Sequence, residues 1–384
     1  MRPPSLSTLF LSFLRLGLTA FGGPAMVTYI KEMAVARNKW LDEDRFKDGL
    51  AICQTIPGAT VMQTAAYVGL RAKGIRGALT SFVGFGLPAF ILMLILSSLY
   101  ARFHEVPGIV SLFNGLQVVV VAIVANATYS FGKSTFKNYR DVLISIASGV
   151  LFWLNVSPFI VIMGTACVGA LFLRNADTEQ FSGQTELIGH IAFKKLLLVI
   201  LILLSVILAI YLVDLKLFRL ALLMIKIDLF AFGGGFASVP LMLHEIVSVR
   251  GWMDSKTFMD GIALGQVTPG PIVITSTFVG YMLYGLTGAI VTTAAIFTPS
   301  FLMVIIITPV YDRLRTSKYF IGATKGILAC FVGLLCFVAI KFGLAVPWDL
   351  ARGLLGIAAF SALYRKIDIL YVVLIAAVVS FLVF

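Results

Sequence analysis

The sequence predicts an all-α polytopic membrane protein made of two inverted-topology repeats with re-entrant or broken helices. Three observations carry this: the composition, an internal repetition, and the way basic residues are shared between loops. Of 384 residues, 60% are hydrophobic and 12% charged, against about 25% charged in soluble domains. The windows 77–100, 106–132, 142–173, 196–213 and 261–311 carry no charged side chain, and the longer ones exceed the roughly 20 apolar residues that cross a bilayer.

The repetition is visible in small and polar residues rather than in Leu or Val. "AFGG" at 20–23 returns at 231–234. Trp40/Trp252, Asp42/Asp254, Phe46/Phe258, Asp48/Asp260, Gly49/Gly261 and Ala51/Ala263 follow in order. So do Gln54/Gln266, Pro57/Pro269, Gly58/Gly270, Gly69/Gly280, Gly77/Gly288, Ala78/Ala289 and Pro88/Pro299. An ordered series of this kind reads as a tandem duplication. The domains expected are an N-terminal repeat over 1–174, a polar loop plus linker helix over 175–213, and a C-terminal repeat over 214–384.

Lys and Arg give the relative orientation, because short cytoplasmic loops collect them. Loops 37–47 and 71–76 carry Arg37, Lys39, Arg45, Lys47, Arg71, Lys73 and Arg76, whereas their counterparts carry only Arg250 and Lys256. After the long apolar segment the bias reverses, with Arg102 alone against Arg313, Arg315 and Lys318. Matching loops therefore fall on opposite sides, and the repeats read as inverted, a design of many secondary transporters. Segments 37–47, 71–76, 133–140, 174–195, 311–318 and 365–366 are placed in the cytosol. The odd helix at 191–213 flips the second half.

The N-terminus has an early Arg and an apolar run, as signal peptides do. Arg15 interrupts the run and the pattern recurs at 217–234, so it is read as structure. Cys53, Cys167, Cys330 and Cys336 lie in apolar segments without metal-ligand spacing and read as small hydrophobes. No metal or cofactor is expected. The +12 net charge belongs to the loops; nucleic-acid binding is excluded, because no basic patch is interleaved with aromatics.

Each repeat opens with two interruptions of apolar sequence: "FGGP" (21–24) and "FGGG" (232–235), then "QTIPGAT" (54–60) and "GQVTPGPI" (265–272). Broken backbone at membrane depth is tolerated only where it is buried in protein or lines a wet cavity. Loops on both sides of 43–70 read as cytosolic, which makes this segment a re-entrant hairpin. Proline suits the first turn of a helix and glycine a tight turn, so Pro24 and Gly58 are expected to start helices. Helix starts present free N–H groups and the positive dipole end, a setting for an anion.

The expected anion-binding set is Phe21, Gly22, Gly23, Pro24, Gln54, Pro57, Gly58, Ala59 and Thr60 from the first copy. The second copy supplies Phe232, Gly233, Gly234, Gly235, Gln266, Thr268, Pro269, Gly270 and Pro271. Gln and Thr donate hydrogen bonds without fixed charge, although interhelical bonding is the ordinary use of such residues in membranes. Ionisable residues within apolar helices are functional candidates. Arg15 and Lys226 align, each six residues before its Phe-Gly-Gly, and Glu32 and Glu245 nearly align. They are the candidate charge and coupling residues, with snorkelling to the interface as the competing role. Trp40 with Asp42, and Trp252 with Asp254, read as an interfacial ring plus a helix N-cap.

On "AFGGP", "AFGGG", "QTIPGAT" and "GQVTPGPI" the chain resembles the chromate ion transporter family in its long, two-domain form. The resemblance extends over both halves. Gly235 where the first copy has Pro24, and Ala59 where the second has Pro271, are its departures. The resemblance implies export of chromate from the cytosol with sulfate as competitor, in the cell membrane of a bacterium or archaeon. A lipid bilayer and a chromate- or sulfate-like dianion are the implied partners, and a homodimer is left open. A sulfate or other oxyanion transporter or channel is the alternative. A membrane-embedded enzyme is the remaining one, but His104, His190 and His244 have no catalytic constellation around them.

Overall fold

The computed structural model describes residues 4–21, 25–173 and 193–384. Gly22, Gly23 and Pro24, and the expected inter-repeat loop 174–190, lie outside the described residues. Among the described residues the regular structure is entirely helical.

Both halves run through matching elements. The first has α1 (Leu6–Thr19), α2 (Ala25–Lys31) continued by a π-helical turn (Glu32–Arg37), α3 (Glu43–Thr55), α4 (Thr60–Phe103), α5 (Pro107–Thr135), α6 (Tyr139–Trp153) and α7 (Pro158–Phe172). α8 (Phe193–Val213) follows, at the place of the expected linker helix. The second half has α9 (Leu215–Leu229), a 3-10 turn (Gly235–Ala237) leading into α10 (Ser238–Met242), and a π-helical turn (Leu243–Val249). Next come α11 (Ser255–Val267), a second 3-10 turn (Ile272–Ile274), α12 (Thr275–Ile307), α13 (Tyr311–Arg315), α14 (Lys318–Ala345), α15 (Leu350–Tyr364) and α16 (Ile369–Val383). The caps agree as well: the carboxylate of Asp42 accepts from the Arg45 amide (2.8 Å) and that of Asp254 from the Thr257 amide (2.9 Å). Each side chain satisfies a donor that the first helical turn leaves open.

Among the described residues four helical runs are long and apolar enough to cross a membrane: α4, α5, Ile272–Ile307 and α14. A straight helix of 44 residues would be roughly 66 Å long, about twice the hydrocarbon thickness of a bilayer. α4 avoids this by folding back. Its helical dihedrals fail at Lys73 and Gly74, where Gly74 has φ +62°. Beyond the break, the Ser81 hydroxyl donates to the Ala65 carbonyl (2.7 Å). α12 does the same at Tyr284 and Gly285 (φ +60°), with Thr277 and Thr293 hydroxyls 2.7 Å apart across the fold. Glycine reaches positive φ without the Cβ penalty of other residues.

The uncharged run 142–173 is not one crossing element. It divides at Asn155 (φ +59°) into α6 and α7 of 15 residues each, roughly 22 Å apiece. The turn Leu154–Ser157 and the helix-starting Pro158 impose the division, since proline fixes φ and suits N1. α15 and α16 repeat the plan, divided at Lys366 (φ +64°).

The halves pack by exchange. α1 lies on α4 and α9 on α12, while α6 and α7 pack on α14, and α15 and α16 on α5. Each long helix is thus wrapped by the short pair of the other half. Small residues permit the approach: a Cβ on Gly169, Gly326 or Gly333 would meet backbone of the facing helix, as at membrane helix contacts generally. Ser380 seals the α16–α5 contact, accepting from the Gly115 amide (2.9 Å) and donating to the Ser111 carbonyl (2.5 Å). Asp260 on α11 is buried and satisfied, accepting from the Tyr100 hydroxyl and the Gln117 amide at 2.8 Å each.

Candidate functional site

The interruptions meet around a cavity of about 1250 Å³. Three helix starts reach its wall. Thr60 is the first residue of α4, Gly235 opens the turn into α10, and Ile272 opens the turn into α12. Two come from the second half and one from the first, and they touch. A Cβ on Gly234 would lie 3.2 Å from the Thr60 hydroxyl, and one on Gly235 would lie 3.2 Å from the Ile272 side chain. The first turn of a helix leaves N–H groups without intrahelical partners, and these carry partial positive charge.

Behind the wall, the glycine of the first hairpin tip is bonded into the other half. The Gly58 amide donates to the Ala231 carbonyl (3.0 Å), and the Ala59 amide donates to the Ser300 hydroxyl (2.9 Å). Gln63 closes the tip from within by donating to the Pro57 carbonyl (2.5 Å). Gly58 has φ +116° and Gly270 φ +115°, so the two tips share one backbone turn that favours glycine.

Of the residues expected from sequence, Gln54, Ala59, Thr60, Gly233, Gly234, Gly235 and Pro271 line the cavity. Pro57, Gly58, Thr268, Pro269 and Gly270 are buried behind it. Phe21, Phe232 and Gln266 are half-buried and outside its lining. Gly22, Gly23 and Pro24 are outside the described residues.

The charged candidates lie elsewhere. Glu245 is buried and binds Lys226 (3.2 Å) and Arg250, with Lys226 set over the Phe159 ring. Glu32 pairs with Arg37 (2.6 Å) at an exposed position, and Arg15 is exposed. None of the four lines the cavity. Glu245 joins α9 to the π-helical turn, and removing one partner of a buried pair leaves an uncompensated charge. Glu245→Gln is therefore expected to lower stability by about 1–3 kcal/mol, less than a fully buried pair because Lys226 and Arg250 are partly exposed. Glu32→Gln is expected to cost under about 1 kcal/mol, as exposed pairs do. Thermal unfolding of the detergent-solubilised variants checks both; equal losses would remove the structural distinction.

Sequence reading passed over the charges that do reach the space. Lys325 on α14 lines it and forms no ion pair among the described residues. Lys137 and Asp141 lie on its rim, where the Asp141 carboxylate accepts from the Lys137 and Asn138 amides (3.0 and 3.1 Å). Asn126 and Ser130 on α5 add neutral donors. The available signal was that Lys325 is the single charge between Tyr319 and Ile340.

A helical membrane protein with a cation-bearing cavity lined by helix starts is thereby defined. The chromate transporter family model matches the chain in two parts, residues 7–170 and 218–381, and the chain belongs to that family. It is 45% identical to an uncharacterized transporter of Methanocaldococcus jannaschii, covering 99% of this chain and 95% of that one. It is 29% identical to a chromate transport protein of Pseudomonas aeruginosa (100% and 93% covered) and 28% identical to one of Cupriavidus metallidurans (94% and 88%). No solved structure matches the chain.

Proposed function

We propose that this chain is a secondary transporter exporting chromate across the cytoplasmic membrane, with the dianion held in the cavity and sulfate competing for it. The observation that carries the reading is the convergence of three helix starts, Thr60 among them, and Lys325 on one cavity. Backbone N–H groups and hydroxyls can hold a tetrahedral oxyanion through several modest bonds, and one cation supplies long-range field. Such a site binds without trapping. Titration of the purified protein with chromate, then with sulfate, tests it: saturable binding of both, each displacing the other, is expected. Absence of chromate binding removes the reading, and a strong preference for sulfate moves it to sulfate transport. Chromate accumulation in inside-out vesicles checks direction.

The geometry for alternating access comes from the duplication. In our reading the halves 1–174 and 214–384 are inverted repeats, and α3 with the first arm of α4, and α11 with the first arm of α12, are re-entrant hairpins. The exchanged packing of α6 and α7 on α14, and of α15 and α16 on α5, gives a symmetric frame on which the hairpins move. In a background lacking the native cysteines, Lys73→Cys is expected to be labelled only from the cytosol and Leu286→Cys only from outside. Both positions are exposed. Labelling from one side at both positions would refute inversion.

A further inference from the structure

Asp228 lies on α9, three residues before the carbonyl of Ala231 that holds the first hairpin tip, and is fully buried. Its Oδ2 accepts two hydrogen bonds from one residue, the Ser300 amide (2.8 Å) and the Ser300 hydroxyl (2.7 Å). Its Oδ1 has no hydrogen-bond partner among the described residues. The Ser300 amide follows Pro299 inside α12, where proline disturbs the helical ladder. The Ser300 hydroxyl in turn accepts from the Ala59 amide (2.9 Å), and Ala59 lines the cavity. A short chain of hydrogen bonds thus runs from the cavity wall to a buried carboxyl.

The duplicated scaffold does not demand this chain of bonds. The matching residues of the first half are Gly17 and Ala89, and a Cβ on Gly17 would strike the Phe85 backbone. α1 and α4 therefore touch directly where α9 and α12 enclose an acid. Titratable groups stand on the surrounding elements. α12 carries Tyr281 and Tyr284, α8 carries Tyr211 among its described side chains and α7 carries Cys167, while α3 carries Glu43, Asp44, Arg45, Lys47 and Asp48 in its first half and Cys53 near its end. The π-helical turn carries His244 and Glu245, and α9 itself Lys216, Arg219 and Lys226. None is bonded to Asp228, and Lys226 is committed to Glu245. A carboxyl buried without a cation holds its charge only at considerable cost.

We propose that Asp228 is the proton carrier that couples anion binding to protonation. This rests on the transport reading above. A dianion in the cavity repels a second negative charge behind the wall, so the occupied site favours the protonated carboxyl. A proton from water then forms an O–H bond at Oδ1, and leaves when the anion leaves. Linkage makes the effect reciprocal: protonation strengthens anion binding by the same factor. Anion and proton move in the same direction.

Calorimetric titration of the purified chain with chromate, in mildly alkaline buffers of different ionisation enthalpy, reads the protons taken up per anion. The buffers keep chromate itself as the dianion. Net uptake is expected in the unsubstituted protein, and its loss in Asp228→Asn with chromate still bound. Uptake unchanged in Asp228→Asn, or binding without uptake in the unsubstituted protein, would overturn the assignment while leaving the transport reading intact. Failure of the unsubstituted protein to bind chromate would overturn the transport reading, and the assignment with it. Should Asp228→Asn not fold, Ser300→Ala keeps the acid and cuts its link to Ala59. Uptake is then expected to fall at least twofold, and full uptake would overturn the proposal.

Discussion

Chromate transport is expected to collapse in Gly58→Val and in Gly270→Val, with both variants inserted and folded. The two positions have φ +116° and +115°, a conformation that costs a residue with a Cβ on the order of 1–3 kcal/mol and is worst for a β-branched one. Space is short as well. A Cβ at Gly58 would press on the Ser300 hydroxyl and lie 2.8 Å from Gln63 Nε2, and one at Gly270 would lie 2.8 Å from the Ala89 methyl. Neither glycine lines the cavity, so the loss would act through position. Gly58 sets Ala59 and Thr60 against the space, and Gly270 does the same for Pro271 and Ile272. Gly164→Val is the control, since its Cβ would meet nothing within 4 Å. Transport assays in proteoliposomes, with chromatography for folding, decide the matter. Near-normal transport in both tip variants would reduce the interruptions to packing kinks.

The same tips show what a single sequence reveals. The breaks at 57–58 and 269–270 were legible because an adjacent proline and glycine recur at one offset in both halves. Their backbone agreement to within a degree in φ at Gly58 and Gly270 follows from that repetition. The N-caps at Asp42 and Asp254 were legible for the same reason, being local. The fold-backs at Gly74 and Gly285 fall in the loop 71–76 and its counterpart in the second half, as the sharing of basic residues led one to expect. The form of the turn, a glycine break within one helical run, was not legible. Nor was the division of 142–173, since an uncharged run hides a turn made by Asn155 and Pro158.

The site was half legible for a related reason. Matched pairs drew attention to Lys226 and Glu245, and the fold binds these two to each other instead of facing them into the cavity. Asp228, Ser300 and Lys325 have no equivalent in the first half, where Gly17, Ala89 and Asn114 stand. Symmetry therefore concealed them. A duplicated scaffold carries its backbone twice, and its chemistry is free to accumulate in one copy.

Lys325 gives the second large effect. It approaches the cavity from α14, which packs against α5 across the centre of the molecule. No carboxylate among the described residues neutralises it, unlike Lys226 with Glu245 or Lys31 with Glu43 (2.9 Å). A charge-assisted hydrogen bond contributes about 1.5–3 kcal/mol, so Lys325→Gln is expected to weaken chromate binding about 10- to 100-fold. Sulfate binding is expected to weaken in parallel, because the two share charge and shape. Lys325→Arg keeps the charge and is expected to retain affinity within several-fold. Lys226→Gln, outside the cavity, is expected to leave affinity nearly unchanged while lowering stability. Calorimetric titration of the three variants separates the two lysines. Unchanged affinity in Lys325→Gln would leave recognition to the helix starts alone, and a large loss in Lys226→Gln would return the counter-charge to the residue that alignment of the halves first suggested.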